Sequence, residues 1–337
     1  MNDLEIPPVT PAPPTRMHFI LNGPHGVRAG WRLLVFLALL AVLFGLAAPV
    51  QRIVEPHLEE GFTAFTTILG EAFAFVLVVI ATAIMGKFEH RSLGDYGLPG
   101  RQMFRKNFWA GALWGFVMLT VVIGLMAATH AYSPGGLALS GTAILKYGFL
   151  WAVGFLMVGF FEEFAFRGYM QFTLTMGLGF WPAALITCVL FALAHRGNPG
   201  ENWVGLVEIV LIALFLCTAL RRTGSLWFAI GWHMAFDWGE SFVYSTPDSG
   251  VHAVGHLFNA SLMGSKWLSG GTVGPEASVF DLVVTVAGIL LLIRMYPDAK
   301  YPAMASLAAA AGQVDLSPGT SQPELPNEDT SESSLTS

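Results

Sequence analysis

The sequence predicts an all-α protein, a polytopic membrane bundle of about eight helices. Three observations point there. Only 12% of the 337 residues are charged while 54% are apolar, whereas soluble domains carry about 25% charged residues. Mean hydropathy is +0.59. Apolar runs of about 20 residues, the length that crosses a bilayer as a helix, recur near 31–50, 63–85, 107–128, 147–170, 179–195, 203–220, 226–244 and 279–296. The net charge of −6 sits largely in the C-terminal tail, and the charge pattern gives no sign of nucleic-acid binding.

The first 27 residues are rich in proline (PPVTPAPPT), lack hydrophobic periodicity, and read as a disordered arm. The first long apolar run starts at Trp31 and already spans a membrane, so no cleavable signal peptide is expected. Spans five and six are the short ones. Pro182 suits the first turn of span five, and RGNPGE at 196–201 reads as a turn. The connection Tyr244 to Ser278, which includes WLSGGTVGPEAS, is expected to fold back over the outer end of the bundle. The tail, 301–337, ends in Ser/Thr/Pro/Glu-rich sequence and reads as disordered. The transmembrane domain therefore covers 28–300. Cys188 and Cys217 lie in apolar runs and read as buried free thiols.

Orientation follows from the basic residues. With the N-terminus in the cytoplasm, the inner segments hold twelve Lys and Arg residues and the outer segments four. That excess puts both termini on the cytoplasmic side.

Several ionisable groups interrupt the apolar spans. A charge near the bilayer centre costs about 2.5–3.5 kcal/mol on insertion scales, so each needs a reason. FFEEFAFRG, at 160–168, holds Glu162, Glu163 and Arg167. Glu163 and Arg167 are four apart and share a helix face, where they neutralise each other. Glu162 points about 100° away and has no such partner. Span five ends in FALAH, with Phe191 four residues before His195. Span seven carries HMAFD, with His233 and Asp237 four apart. Spans two and six carry Glu71 and Glu208, which read as packing or pathway groups.

Each of these has a structural reading of its own. His195 adjoins a polar loop, and His233 with Asp237 is also a sensible packing pair. Together they say more, because intramembrane ionisable groups face the bundle interior or a wet cavity. Glu162, His195 and His233 then converge. One carboxylate and two imidazoles suit activation of water with oxyanion stabilisation. They equally suit a metal such as Zn held by two His and one carboxylate.

The three patterns, Glu162-Glu163-x-x-x-Arg167, Phe191-x-x-x-His195 and His233-x-x-x-Asp237, resemble the CAAX prenyl endopeptidase and bacteriocin-processing family of intramembrane proteases. The likeness covers about 144–245, and GGTVGPEAS resembles a stretch of prokaryotic members. It implies an eight-helix bundle enclosing a water-accessible cavity, and peptide-bond hydrolysis without a metal cofactor. Carried over by position, Glu162 is the general base and His195 holds and polarises the water. His233 and the residue four further on stabilise the oxyanion, while Glu163 and Arg167 brace them. Members often carry Asn where Asp237 stands. Asn donates a hydrogen bond and an ionised Asp does not, so Asp237 is expected to orient His233 or to be protonated. The implied partners are a peptide or membrane-protein substrate, prenylated where the cell prenylates proteins, and the bilayer. Two other readings stand beside this one: a non-catalytic partner-binding or immunity protein of the same fold, and a proton-coupled transporter.

Overall fold

The computed structural model describes residues 22–23, 26–54 and 61–302. The Pro-rich arm and the tail, both read above as disordered, lie outside these apart from 22–23, 26–27 and 301–302. Helices occupy all eight expected places. They are α1 (Ala29–Val54), α2 (Ala64–Glu89), α3 (Lys106–Ala128), α4 (Thr142–Phe164), α5 (Gln171–Leu178), α6 (Phe180–His195), α7 (Trp203–Thr223), α8 (Trp227–Trp238) and α9 (Val279–Met295). α4 and α5 belong to one continuous helical stretch.

Among the described residues, five stretches are long and apolar enough to cross a membrane: Ala29–Ile53, Ala64–Glu89, Lys106–Ala128, Thr142–Leu178 and Trp203–Thr223. The other three expected spans fall short. α6 has 16 residues and α9 has 17, and the α-helical part of α8 has only 12 before it changes winding. At about 1.5 Å per residue, a 16-residue helix rises about 24 Å, less than the hydrocarbon core.

Local sequence explains the helix ends. Thr63 caps α2, its side chain accepting from the Thr66 backbone N–H. Asn202 caps α7 by accepting from the N–H groups of Val204 and Gly205, and Gly224 ends it at φ 86°. Ser278 caps α9 through the Phe280 N–H.

Two segments depart from α geometry. Ala165–Met170, between α4 and α5, and Gly239–Val243, after α8, wind as π-helix. The first contains Gly168 at ψ −112°, where an added Cβ would meet the Phe164 ring at 2.8 Å. It also presents Tyr169. With Tyr96, Tyr169 donates its hydroxyl proton to Glu89 at the end of α2, and Arg32 of α1 pairs with the same carboxylate. Burial, and then Glu89 itself, push the Tyr96 hydroxyl pKa up, so it remains a donor.

α4 and α8 form the centre. α8 lies against α3 and α4, α2 lies against α4, α6 against α7, and α9 against α7 and α3. The α3–α8 contact is closed by glycines. A Cβ on Gly111, Gly115 or Gly231 would meet the carbonyl oxygen of Phe228, Trp232 or Phe108 at 1.9, 2.3 or 2.1 Å. Gly111 and Gly115 are four apart on one face, the small-residue spacing that lets membrane helices touch backbone to backbone. The thiols of Cys188 and Cys217 are free and buried, 3.9 Å apart between α6 and α7.

The connection after α8 folds back over one end of the bundle, as expected. Its Val254 bonds to Phe62 and Trp151, and Ser261–Leu262 pairs with Tyr132–Ser133 beyond α3.

Candidate active site

α4 delivers Glu162 and Glu163 at its last turn. Glu163 is fully buried, and its Oε1 accepts from Arg167 Nη1 at 3.1 Å. The expected i, i+4 pair is therefore present inside the bundle. The Arg167 guanidinium also lies over the Phe191 ring, 4.2 Å from its centre, a cation–π contact strengthened by the absence of water.

Glu162 turns the other way, and its side chain is 19% exposed where that of Glu163 is 0%. Its Oε1 lies 3.8 Å from His195 Nε2 and its Oε2 lies 3.4 Å from His233 Nε2. The two imidazoles, 18% and 11% exposed, meet at this carboxylate from α6 and α8. Both separations exceed an ordinary direct hydrogen bond.

Residue counting along the expected spans sets His195 near the outer end of one helix and Glu162 deeper in another. The structure brings them level because the helical stretch carrying Glu162 runs on to Leu178 instead of ending near Met170. The chain then reverses at Gly179, at φ 83°. Glu162 stands 17 residues before that glycine and His195 stands 16 after it. Each is then about 25 Å from the turn at 1.5 Å per residue.

Hydrogen bonds fix how each ring is presented. His195 Nδ1–H donates to the Phe191 carbonyl at 2.8 Å. A carbonyl only accepts, so the neutral ring turns an unprotonated Nε2 towards Glu162. The Phe191 ring backs His195 at 4.4 Å between centres. His233 Nδ1 faces Glu163 Oε1 at 3.0 Å. A proton on Nδ1 is thus held by the carboxylate that Arg167 also binds. Gly159 makes room for this approach: a Cβ there would meet the Ile230 carbonyl at 3.1 Å and His233 Cβ at 3.5 Å.

Asp237 lies on the Nε2 side of the His233 ring. Its Oδ2 is 3.4 Å from His233 Nε2, the nitrogen that also faces Glu162. Glu163, not Asp237, holds the ring from behind. The i, i+4 rule finds Asp237 near His233, but it gives no sign of the contact across helices from Glu163.

Of the other two intramembrane acids, Glu71 is within electrostatic reach of Glu162 and His233, and its Oε2 is buried without a partner. Glu208 lies apart, against α9, with both carboxylate oxygens buried and unpartnered. Among the described residues, only Glu240, Asp248 and Glu276 bring one ligand atom each within 4.8 Å of one another. Glu162, His195 and His233 do not form such a set.

None of the curated proteins compared matches the chain. Residues 144–239, which run from the first turn of α4 through α8 and hold every residue of this constellation, match the sequence model of the type II CAAX prenyl endopeptidase Rce1-like family. That family implies CAAX-type peptidase activity in a membrane. The chain is an integral membrane protein whose residues 144–239 are similar to the type II CAAX prenyl endopeptidase Rce1-like family.

Proposed function

We propose that the protein is an intramembrane endopeptidase that hydrolyses a peptide bond of a membrane-associated or lipidated protein or peptide, using a water activated by Glu162. One observation carries this reading. Of the two adjacent carboxylates, only Glu162 is open, and it stands between two imidazole Nε2 atoms at 3.4 and 3.8 Å. Such separations suit groups that share a water rather than bond to each other.

The roles follow from the presentation of each atom. Glu162 takes a proton from the water as it attacks the carbonyl carbon. The unprotonated Nε2 of His195 accepts the water's second hydrogen and fixes its direction. His233 presents Nε2 to the same space and stabilises the oxyanion of the tetrahedral intermediate. Glu163 positions His233 through Nδ1, and Arg167 and Phe191 hold Glu163 and His195 in place. Asp237 keeps a proton at His233 Nε2, or supplies one itself. The proton on Glu162 then passes to the leaving amine.

We favour a mechanism without a metal, as the resemblance of the three motifs implies, with Glu162, His195 and His233 as the ligands if a metal is used. The twelve-to-four excess of basic residues supports both termini in the cytoplasm. Purified protein in lipid, given a prenylated CAAX peptide, an unprenylated copy and a hydrophobic leader peptide, tests the reading by mass spectrometry of the products. Cleavage of at least one peptide that persists in chelator supports it. Cleavage abolished by chelator and restored by Zn transfers the role of Glu162 to metal binding.

A further inference from the structure

A second group of acids lies one turn beyond the proposed site, and the mechanism does not use it. Glu240 belongs to the π-helical turn that follows α8, three residues after Asp237. Asp248 and Glu276 come from the long connection that folds back over the bundle. One oxygen from each of the three lies within 4.8 Å of the other two.

Their surroundings are unequal. Asp248 accepts from Ser241 Oγ at 3.1 Å. Glu276 accepts from the Ser249 N–H at 2.9 Å and the Ser249 hydroxyl at 3.1 Å. Glu240 is fully buried, and neither of its carboxylate oxygens has a partner. Among the described residues, none of the three acids is in an ion pair. The loop backbone is pressed against Glu240: a Cβ on Gly274 would meet the Pro247 carbonyl at 2.2 Å and Glu240 Oε1 at 3.1 Å. Three carboxylates this close, one of them buried and unsatisfied, are costly in the ionised form unless something positive joins them.

We infer that Glu240, Asp248 and Glu276 hold one hard divalent cation of the calcium class, which fastens the loop to the helix that carries His233. The donors are all oxygens, which suit Ca²⁺ or Mg²⁺ rather than Zn²⁺ or Cu²⁺. Calcium–oxygen bonds run about 2.3–2.6 Å, so ligands on opposite sides of one ion lie about 4.6–5.2 Å apart. The trio fits within that span, and three carboxylates offer up to six oxygens. Asp248 and Glu276 are only partly buried, and the neighbouring residues Thr246, Pro247 and Gly250 line an open cleft of about 390 Å³. The trio thus borders a cleft and is not sealed on all sides. The inference does not rest on the proposed peptidase activity.

The test is thermal unfolding of the full chain in detergent, stripped with chelator and then titrated with CaCl₂. Saturation at about 100 times the dissociation constant raises Tm by about 5–10 °C. Calorimetry on the same wild-type sample reads about one Ca²⁺ per chain. Glu240→Gln and Asp248→Asn, close in shape to the originals, abolish the rise, whereas Glu208→Gln, a buried acid outside the trio, keeps it. No calcium bound by the wild type overturns the inference, even if the variants fail to fold. So does a rise that survives in Glu240→Gln, or one that Glu208→Gln removes. If peptide cleavage fails while the calcium shift holds, the peptidase reading alone is lost.

Discussion

Glu162 and Glu163 are neighbours in the chain with opposite surroundings. Glu163 is sealed from solvent and accepts from both Arg167 and His233, so removing its charge strands a buried guanidinium. Breaking one side of a buried ion pair costs about 3–5 kcal/mol. Glu163→Gln is therefore expected to lower Tm by several degrees in a thermal melt and to lose cleavage with it. Glu162 makes no short hydrogen bond in the structure, so a change there leaves the melt in place. Asp237 separates two roles. If its duty is to keep a proton at His233 Nε2, 3.4 Å away, Asp237→Asn retains cleavage because the amide oxygen can also accept from that N–H. Asp237→Ala then loses about 10²–10⁴-fold in rate, the usual worth of a proton-handling group. Retained activity in the alanine variant rules that duty out. At this scale the residues were readable in advance. His195 and His233, each with a helix-spaced companion, and Glu162, the acid left without one beside the Glu163–Arg167 pair, stood out as ionisable groups in apolar spans. The partnership of Glu163 with His233 was not readable, because it joins α4 to α8 and no spacing rule reaches across helices.

Two features of the helices decide whether these residues meet. One is the reversal at Gly179, which sets Glu162 and His195 nearly equally far from the turn. The apolar run alone suggested an end near Met170, because polar Gln171 and Thr173 follow. In the structure both are buried, and Gln171 bonds to Thr187 and the Phe180 carbonyl across the hairpin. The other feature is the glycine contact between α3 and α8. A leucine at Gly115 has no space, because the Trp232 backbone stands 2.3 Å from its Cβ position. Overpacking costs about 1–3 kcal/mol and occasionally more. Gly115→Leu is expected to lower Tm and to reduce cleavage by displacing the helix that carries His233. Gly124→Leu on the same helix, with nothing within 4 Å of its Cβ position, should change neither. Equal behaviour of the two variants would show that α8 is held by other contacts. The contact through Gly111 and Gly115 was not among the features read from the sequence. The π-helical turns carried no sequence signal, since they depend on what Tyr169 and Glu240 meet in the folded bundle.

The whole molecule is a helical membrane bundle whose Rce1-like segment, 144–239, supplies the constellation. The remaining helices and the long connection enclose it. Hydropathy gave the class and the places of the helices. It overstated the α-helical length of one of them, α8, because the apolar run continues past Trp238 into altered winding. The fold-back of the connection followed from its glycines and Trp267, but its cluster of acids did not, since Glu240 and Glu276 are 36 residues apart in the chain. At this scale the proposed function rests on a single open carboxylate, Glu162, between two imidazoles from different helices. The measurement that bears on it is the rate of peptide cleavage by Glu162→Gln and wild-type protein in the same lipid, with Tm determined on both. The expected result is a rate lower by about 10²–10⁴-fold at unchanged Tm. A Glu162→Gln protein that folds and cleaves at the wild-type rate contradicts it.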